Sequence, residues 1–497
     1  MPQLTRRVAT ACFAAAVMVS ALSPAMAQSP PPPVTYARPA PLSPIAPIVL
    51  TPAQADLLQR ALADSDRHGF EAGEFAPRGP GDEALIDAVV RYARAVKTGR
   101  LAVSGFRDDW GLRPQPFDAR AGLARAVHDN SVEAWLRSLP PDYPGYETLQ
   151  QGLVTYRTIR ERGGWQTLPS GPDLKLGSTG YAVEALRARL AIEDPATPAE
   201  AARTQPPADA PPPAAGQPAF VGEPLFDMAL AEAVKRAQKR MGLEPSGVVG
   251  AATRAALNIP VQRRIDQIVA NMERWRWLPP ILPVDRVQVN VAAGVLTLFQ
   301  NDQPTLSMRA VTGKPNGGET PLLSSSIDSI VLNPPWNVPT SIARRELLPK
   351  GRAYLASAGF RILPGGGLQQ APGPRSALGL IKFDFQNPYA VYLHDTPSKG
   401  GFSRYTRLAS HGCVRLEKPQ ALARAIMEGD PVWTPEMIEA TIAGGKTTRA
   451  PVARPVAVYL LYWTAYVTPD GQVNFRQDPY GWDALLIQRI AAQGRGA

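Results

Sequence analysis

The first part of the chain has a helical pattern of hydrophobic and polar positions. Between residues 50 and 168, apolar residues recur at three- and four-residue spacing in stretches such as DEALIDAVVRYARAV and AGLARAVHDNSVEAWLRSL. This spacing places apolar side chains on one face of an α-helix. The pattern predicts a helical scaffold domain over residues 50–168, and no chemical motif occurs in it. His68 and His128 are isolated there and are interpreted as surface residues.

A second helical unit is predicted over residues 174–259. Its first helix, in LKLGSTGYAVEALRARL, has Ser178 as a candidate N-cap. Three apolar residues share one face of that helix: Val183, Leu186 and Leu190. A second helix is predicted in FDMALAEAVKRAQKRMGL and a short third one in GAATRAALN. Residues 191–224, between the first two helices, are rich in proline and alanine and predict a disordered insertion.

From residue 262 the pattern changes to alternation. In DRVQVNVAAGVLTLFQ, valines and then leucines alternate with other residues around an Ala-Gly pair, which predicts a β-hairpin. Further strands are predicted in SMRAVTG, AVYLHD and VAVYLLYWTAYV, and helices in SIARRELL, KGRAYLAS and PQALARAIMEG. Residues 262–485 are therefore predicted to be a mixed domain with a sheet at its core, followed by a tail at 486–497. The fold class expected for the whole chain is multidomain α+β.

The N-terminus has the features of an export signal. A twin-arginine pair precedes an apolar run at residues 8–22, and a small-x-small triplet follows at 25–27. The run is shorter than a bilayer span requires, so residues 1–27 are predicted to be a cleaved signal peptide that leaves no transmembrane anchor. A retained membrane anchor is the alternative, and both the Sec and the Tat route stay open. The proline-rich residues 28–49 predict an extended linker.

Charge and cysteine content narrow the choice of partners and compartment. The 53 basic and 43 acidic residues give a formal charge of +10, which suits anionic partners such as a wall polymer or acidic lipid. Export and the lack of a basic run with interleaved aromatics argue against nucleic acid. Signal cleavage would remove Cys12 and leave Cys413 as the single thiol. Such a thiol in an exported protein is either reactive, bridged to another chain, or buried and inert.

The residues around Cys413 favour the reactive interpretation. His411 and Gly412 precede it in SHGC, and His394 ends the predicted strand YAVYLHD. A thiol paired with an imidazole becomes a competent nucleophile. His394 can reach the thiol from a neighbouring strand, whereas His411 belongs to the same turn, but chemistry alone does not decide between them. The glycine allows a turn that aims successive backbone N–H groups at one point, as an oxyanion hole requires.

These motifs resemble the L,D-transpeptidases with a YkuD-type catalytic domain. HDTP and SHGCVRLE carry the catalytic signature, and NMERWRWLP, VTGKPNGGETP, LNPPWNVPTSIARRELLP and RSALGLIKFDF extend the likeness to the large periplasmic YcbB-type members. The second helical unit resembles the three-helix peptidoglycan-binding domain through its GxxG opening, AVKRAQKRMGL and SGVVGAATRAAL. The resemblance implies a mainly-β catalytic domain and a periplasmic location.

The resemblance also implies roles for individual residues. Cys413 matches the nucleophile and His394 the general base, which the backbone carbonyl of Asp395 orients. The turn formed by His411, Gly412 and Cys413 matches the oxyanion hole. Further residues matching positions that line the substrate site are Tyr392, Arg415, Ser410 and Asp395. The segment 341–379 matches a lid over the cleft.

The implied activity is the cross-linking of peptidoglycan. A thioester on Cys413 would form with loss of D-alanine from a tetrapeptide stem, and a second stem would accept the acyl group. The resemblance implies no metal or organic cofactor, a role in cell-wall biogenesis and cell shape, and acylation by carbapenems. Other wall-synthesis proteins are further candidate partners. Water or a protein amine as acceptor, and a non-catalytic wall-binding scaffold, remain the alternatives.

Overall fold

The computed structural model describes residues 47–197, 224–468 and 470–494. The expected signal peptide at 1–27, nearly all of the linker at 28–49 and most of the insertion at 191–224 lie outside these residues. No helix within the described parts combines the length and apolar character needed to cross a membrane.

The first region is helical, as its periodicity predicts. It contains five helices: α1 (Pro52–Ala63), α2 (Asp82–Thr98), α3 (Ala119–His128), α4 (Val132–Arg137) and α5 (Pro144–Glu161). Helix α1 begins with a reciprocal capping box, in which Thr51 and Gln54 each bond the other's backbone N–H. Helices α1 to α4 enclose one core, which includes Leu58, Ile86 and Leu123. His68 is buried rather than at the surface, because its ring packs among aromatic side chains.

The second helical unit forms around the predicted apolar face. Its helices are α6 (Tyr181–Ala191), α7 (Met228–Arg240) and α8 (Ala251–Leu257). Gly180, not Ser178, is the N-cap of α6, since the Ser178 hydroxyl accepts a bond from the Lys175 N–H. The prediction of disorder from residue 191 is wrong for 191–197. Glu193 is buried there between Arg189 and Arg240, which lie 2.7 and 3.3 Å away.

Helix α9 (Val261–Trp275) joins the helical regions to the sheet domain. Its apolar face packs against α5 through Ile268 and Met272, which share a core with Leu149 and Leu153. The sheet domain is therefore fixed to the helical scaffold by an apolar interface and not by a linker.

The sheet domain contains fourteen strands among the described residues. They are β1 (Arg286–Asn290), β2 (Val295–Gln300), β3 (Gln303–Gly313), β4 (Leu323–Leu332), β5 (Trp336–Val338), β6 (Phe360–Ile362), β7 (Leu368–Gln370), β8 (Ile381–Phe385), β9 (Leu393–His394), β10 (Leu408–Ser410), β11 (Val414–Leu416), β12 (Thr448–Leu461), β13 (Ala465–Val467) and β14 (Val473–Phe475). Nine form one sheet in the order β10-β3-β11-β9-β8-β4-β12-β1-β2. Strand β2 also pairs with β3, so the sheet closes on itself. The β1–β2 hairpin and the multidomain α+β fold class are confirmed.

The remaining helices border the sheet. They are α10 (Thr340–Ile342), α11 (Gly351–Ser357), α12 (Pro419–Ile426), α13 (Pro435–Ala443) and α14 (Trp482–Gly494). The expected tail at 486–497 is wrong for its described part, which belongs to α14. Leu486 and Ile490, one helical turn apart, are buried against the main core, and the Trp482 ring lies 5.8 Å from that of Trp110.

The expected lid segment is a small folded layer. Strands β5, β7 and β6 pair into a three-stranded sheet, and with α10 and α11 they enclose a separate apolar core. SIARRELL is only partly α-helical, because a π-helical turn over Ala343–Leu347 follows α10. The layer begins at Trp336, before the expected start at residue 341.

Candidate active site

Strand register places four polar side chains on one face of the sheet. Strands β9 and β11 are parallel neighbours, with Leu393 opposite Val414 and His394 opposite Arg415. Side chains alternate between the two faces of a strand, and Leu393 and Val414 are fully buried in the core. The opposite face, here called the thiol face, therefore carries four side chains: Tyr392, His394, Cys413 and Arg415. A bond of 3.0 Å from the Val414 N–H to the Tyr392 carbonyl continues this register.

Cys413 is a free, half-buried thiol. Burial raises its pKa above the ordinary value, because a thiolate loses hydration there. Four influences oppose this shift: hydrogen bonds from the backbone N–H and the hydroxyl of Tyr392, and the positive charges of Lys382 and Arg415. The thiol is therefore neutral at rest, and its surroundings favour the thiolate once the proton leaves.

His394 is held as a neutral imidazole. Burial, and next the charge of Arg415, lower its pKa from 6.5 to about 3, and Asp395 and the backbone of Leu378 oppose this only partly. Its Nδ1 lies 2.5 Å from the Asp395 carbonyl oxygen, which can only accept a hydrogen bond. The proton of the neutral ring is thus assigned to Nδ1, and Nε2 carries the lone pair. This tautomer makes Nε2 the ring nitrogen that can accept a proton.

The turn before Cys413 depends on Ser410 and Thr320. Gly412 has a φ of 114°, which an L side chain rarely adopts. Its N–H donates to Ser410 Oγ at 3.2 Å, and that hydroxyl donates to the Cys413 carbonyl at 2.5 Å. The Thr320 hydroxyl donates to the Gly412 carbonyl at 2.8 Å. Ser410 was expected to line the substrate site, but its side chain is buried and stabilises the turn through these two hydrogen bonds.

Asp395 likewise supports backbone and does not face the thiol. Its side chain is buried, and its Oδ2 accepts from the Leu380 N–H at 2.9 Å. Its Oδ1 accepts from the Thr396 N–H at 2.7 Å and from Lys399 Nζ at 2.6 Å. These bonds fix the end of β9, and with it the carbonyl that contacts His394.

Arg415 carries a charge on the thiol face that no carboxylate offsets among the described residues. Burial lowers its pKa, and Cys413 is the group that raises it. Its Nε is buried and has no hydrogen-bond acceptor in the described parts of the chain. An arginine in this state can bind an anionic group that enters from the cleft.

His411 points away from the thiol, toward the lid layer. Its Nε2 lies 2.7 Å from Glu346 Oε1 in the π-helical turn, and Lys314 Nζ lies 3.5 Å from the same nitrogen. The turn and the lid are therefore in direct polar contact. No cluster of His, Cys, Asp and Glu capable of holding a metal ion occurs among the described residues.

Family models match three parts of the chain. Residues 284–433 match YkuD, described as "L,D-transpeptidase catalytic domain", and contain the whole thiol face. The sheet domain belongs to the YkuD-type L,D-transpeptidase family. Residues 46–153 match "Scaffold domain", and residues 223–257 match "Putative peptidoglycan binding domain". The family resemblance seen in the sequence is confirmed.

Individual relatives are more distant. A protein from Haemophilus influenzae named "Putative L,D-transpeptidase" is 32% identical over 243 residues, which cover 44% of this chain and 48% of the relative. The match thus spans about half of that relative's length.

Two solved structures are similar to parts of the chain. One is an L,D-transpeptidase from Xylanimonas cellulosilytica, with 17% identity, a TM-score of 0.19, and coverage of 59% of this chain and 99% of that one. The other is L,D-transpeptidase 3 from Mycobacterium tuberculosis in complex with a faropenem-derived adduct, with 12% identity, a TM-score of 0.19, and coverage of 36% and 60%. TM-scores this low add nothing to the assignment.

Two residues that contact this face were missed by sequence reasoning. Lys382 stands opposite His394 in the register of β8 and β9, and its ammonium lies 4.4 Å from the centre of the Tyr392 ring. Trp336, at the start of the lid layer, hydrogen-bonds to Tyr392. The alternation in IKFDF was a usable signal for Lys382, because it places that residue on the face opposite the buried Ile381 and Phe383. Nothing near Trp336 in the sequence indicates its contact.

Proposed function

We propose that the protein is an L,D-transpeptidase that cross-links peptidoglycan stems through a thioester on Cys413. The observation that carries the proposal is the shared face of β9 and β11, on which the neutral imidazole of His394 and the free thiol of Cys413 both lie. Peptidoglycan as the substrate is supported by the match of residues 223–257 to a peptidoglycan-binding domain.

Acylation begins with transfer of the Cys413 proton to Nε2 of His394. The thiolate attacks the carbonyl of the third residue of a tetrapeptide stem, and the N–H of Cys413 is our candidate oxyanion donor. Gly412 is the weaker candidate, since its N–H already donates to Ser410. The bond to D-alanine then breaks, and the imidazolium returns the proton to the leaving amine.

Deacylation uses the same residues in the reverse order. An amine of a second stem attacks the thioester carbonyl while His394 accepts its proton. The new amide forms, and the sulfur leaves as the thiolate and regains the proton from His394. No external energy source is required, because the energy of the broken stem amide is kept in the thioester.

Arg415 and Tyr392 are proposed to position the stem. Arg415 would bind a stem carboxylate, because it lies on the thiol face and its Nε has no hydrogen-bond partner among the described residues. Tyr392 would hold the thiol in place through its two hydrogen bonds to sulfur. We place the protein in the periplasm, on the basis of the predicted signal at residues 1–27.

Product analysis with defined substrates tests the proposal. Purified protein without residues 1–27 is incubated with tetrapeptide muropeptides, and the products are weighed by mass spectrometry. We expect a cross-linked dimer that has lost one D-alanine, and no product from Cys413→Ala. Tripeptide monomers alone would show that water is the acceptor and would overturn the transpeptidase assignment, as would dimer formation by the Cys413→Ala variant.

A further inference from the structure

A large cavity lies between the second helical unit and the sheet, away from the thiol face. Its volume is about 890 Å³, and neither Cys413 nor His394 lines it. The outward side of the β1–β2 hairpin provides the floor: Gln288, Asn290, Val295, Thr297 and Phe299. The opposite wall comes from the second helical unit, between Gly242 and Thr253. The cavity therefore exists only where the second helical unit packs against the sheet domain.

Strand alternation places both polar and apolar side chains on the floor. Val287, Val289 and Leu296 face the core, so the residues between them face outward, where a sheet usually meets water. Here the helical unit covers that face. Gln288 is only 8% exposed, and its side-chain amide has no hydrogen-bond partner among the described residues. The amide atoms are not among the fully buried polar atoms that lack a partner, so they reach the cavity and can pair with a ligand there.

An aromatic platform stands at one side of the cavity. Trp275 and Trp463 both line it, and their rings stack with centroids 4.7 Å apart and planes 20° apart. Tyr143 lies 5.3 Å from Trp275, so the outer face of Trp463 is the face of this pair that can take a ligand. The half-exposed Tyr405 is a further aromatic in the lining. Flat aromatic faces suit the apolar face of a sugar ring, and an amide nearby suits its hydroxyl or acetamido groups.

The charges of the cavity are compatible with a neutral or acidic sugar polymer. Arg407 and Arg476 line it, with Glu244 as the single carboxylate in the lining. Both guanidinium groups donate to backbone carbonyls, Arg407 to Ala293 at 3.0 Å and Arg476 to Phe475 at 2.7 Å. These hydrogen bonds hold both side chains in place, so they give the cavity a fixed positive potential.

We propose that this cavity binds a segment of the peptidoglycan glycan strand, with sugar rings on the Trp275–Trp463 platform and a sugar substituent on Gln288. The inference rests on the proposed function and locates the glycan contact at the junction of two domains. Leu408 lines the cavity and begins β10, five residues before Cys413, so the two Cα atoms are at most about 18 Å apart. A strand held here keeps its stems within reach of the thiol.

Binding of glycan strands freed of their stem peptides by an amidase tests the proposal. We expect Gln288→Met, which keeps the side-chain length and removes the amide, to weaken binding about tenfold. Thr297→Trp, which fills the cavity from its floor, should weaken binding by more than that. Gln303→Trp is the matched control, since it adds the same side chain to an exposed position of the neighbouring strand outside the cavity, and it should leave binding unchanged.

Thermal unfolding verifies that each variant is folded, and Gln288→Met decides the question if Thr297→Trp does not fold. Wild-type affinity in a folded Gln288→Met or Thr297→Trp variant would overturn the inference. So would equal losses in the Gln303→Trp control, or a wild-type protein that binds free stem peptides but no glycan. Acylation of wild-type Cys413 by a β-lactam is measured in a separate experiment. If no acylation occurs, the proposed function is contradicted, but the result on glycan binding still holds.

Discussion

The protein contains two buried histidines that have the same exposure and a similarly lowered pKa but different hydrogen-bond partners. His68 and His394 are each 4% exposed, and burial lowers the pKa of each to about 3, with a nearby arginine as the second cause. His68 lies in the helical scaffold beside Arg276, and His394 lies on the thiol face beside Arg415. Burial and a depressed pKa therefore do not by themselves identify a catalytic base.

The hydrogen-bond partners separate the two rings. The Gln150 side-chain amide lies 3.1 Å from His68 Nδ1 and can only donate, and the Tyr146 hydroxyl lies 3.0 Å from the same nitrogen. Arg276 donates to that hydroxyl, which leaves its own proton for His68. The lone pair of His68 is thus occupied. In His394 it is Nδ1 that donates, to the Asp395 carbonyl, which assigns the lone pair to Nε2.

The neighbouring arginines differ in the same way. Arg276 lies 2.8 Å from the Glu273 carboxylate, so its charge is neutralised locally. Arg415 has a buried Nε without an acceptor among the described residues. Buried polar groups that hold domains together are paired with other groups of the protein. On a face that binds a ligand, some polar groups are left unpaired for that ligand.

The largest expected effect comes from removing the thiol beside His394. Cys413→Ala should abolish turnover, and Cys413→Ser should be nearly inactive, because a hydroxyl is far less acidic than a thiol. The side chain is small and half-buried, so the melting temperature should change little. Muropeptide turnover and thermal unfolding are measured together, and cross-linking by the alanine variant would contradict the thioester route.

Single substitutions of the histidines test which imidazole is the general base. His394→Ala should lower turnover by about 100- to 10,000-fold, the range for a positioned acid–base group. His411→Ala should cost less, because that ring contacts Glu346 of the lid. His68→Leu should leave turnover near wild type. A larger loss for His411→Ala than for His394→Ala would show that the assignment of the base is wrong.

The pH dependence of acylation sharpens the comparison further. With a pKa of about 3, His394 is already neutral at pH 5, and the raised pKa of Cys413 keeps the thiol protonated through neutral pH. The rate of carbapenem adduct formation, followed by intact mass from pH 5 to 9, should therefore rise toward alkaline pH. An inflection near pH 6.5 would mean that an ordinary, exposed imidazole controls the reaction. A failure to form any adduct would contradict a reactive thiol.

The smallest expected effect concerns stability at His68. The folded pKa is depressed from 6.5 to about 3, so the unfolded chain binds a proton first as pH falls. The stabilisation that depends on a neutral His68 is fully present above pH 6.5, and it is lost progressively as the pH falls toward 3. His68→Leu should cost about 1–3 kcal/mol at pH 7, because Tyr146 and Gln150 lose their partner, and should flatten the pH dependence below 6.5.

Urea unfolding at pH 7 and pH 5 measures both quantities. The exposed His128 offers the same substitution at another position, and His128→Leu is unfolded in parallel as a control. If His68→Leu keeps the wild-type slope with pH, His68 does not remain neutral in the folded protein.

Local pattern was enough to predict some parts of this protein. The β1–β2 hairpin and the placement of His394 on a strand beside the thiol follow from alternation and from the quoted motifs. Helix α14 also had a readable signal, since Leu486 and Ile490 are four residues apart. The tail prediction overlooked it.

Other features depend on contacts that are distant in sequence. His68 is buried by Tyr146 and Arg276, which follow it by 78 and 208 residues, and no pattern around DSDRHGF indicates them. The burial of Glu193 depends on Arg240, beyond the insertion. The direction of His411 depends on Glu346, 65 residues earlier. Such pairings form only when whole domains are assembled.

The position of β12 has a consequence for the order in which the protein can be assembled. This strand, Thr448–Leu461, lies between β4 and β1 in the closed sheet, although it follows every residue of the thiol face in the chain. A nascent chain that ends before residue 448 would hold Cys413 and His394 but leave the facing edges of β4 and β1 unpaired, and such edges invite aggregation. Cys413 thus becomes part of a finished sheet only after β12 has been synthesised, at least 48 residues later in the chain.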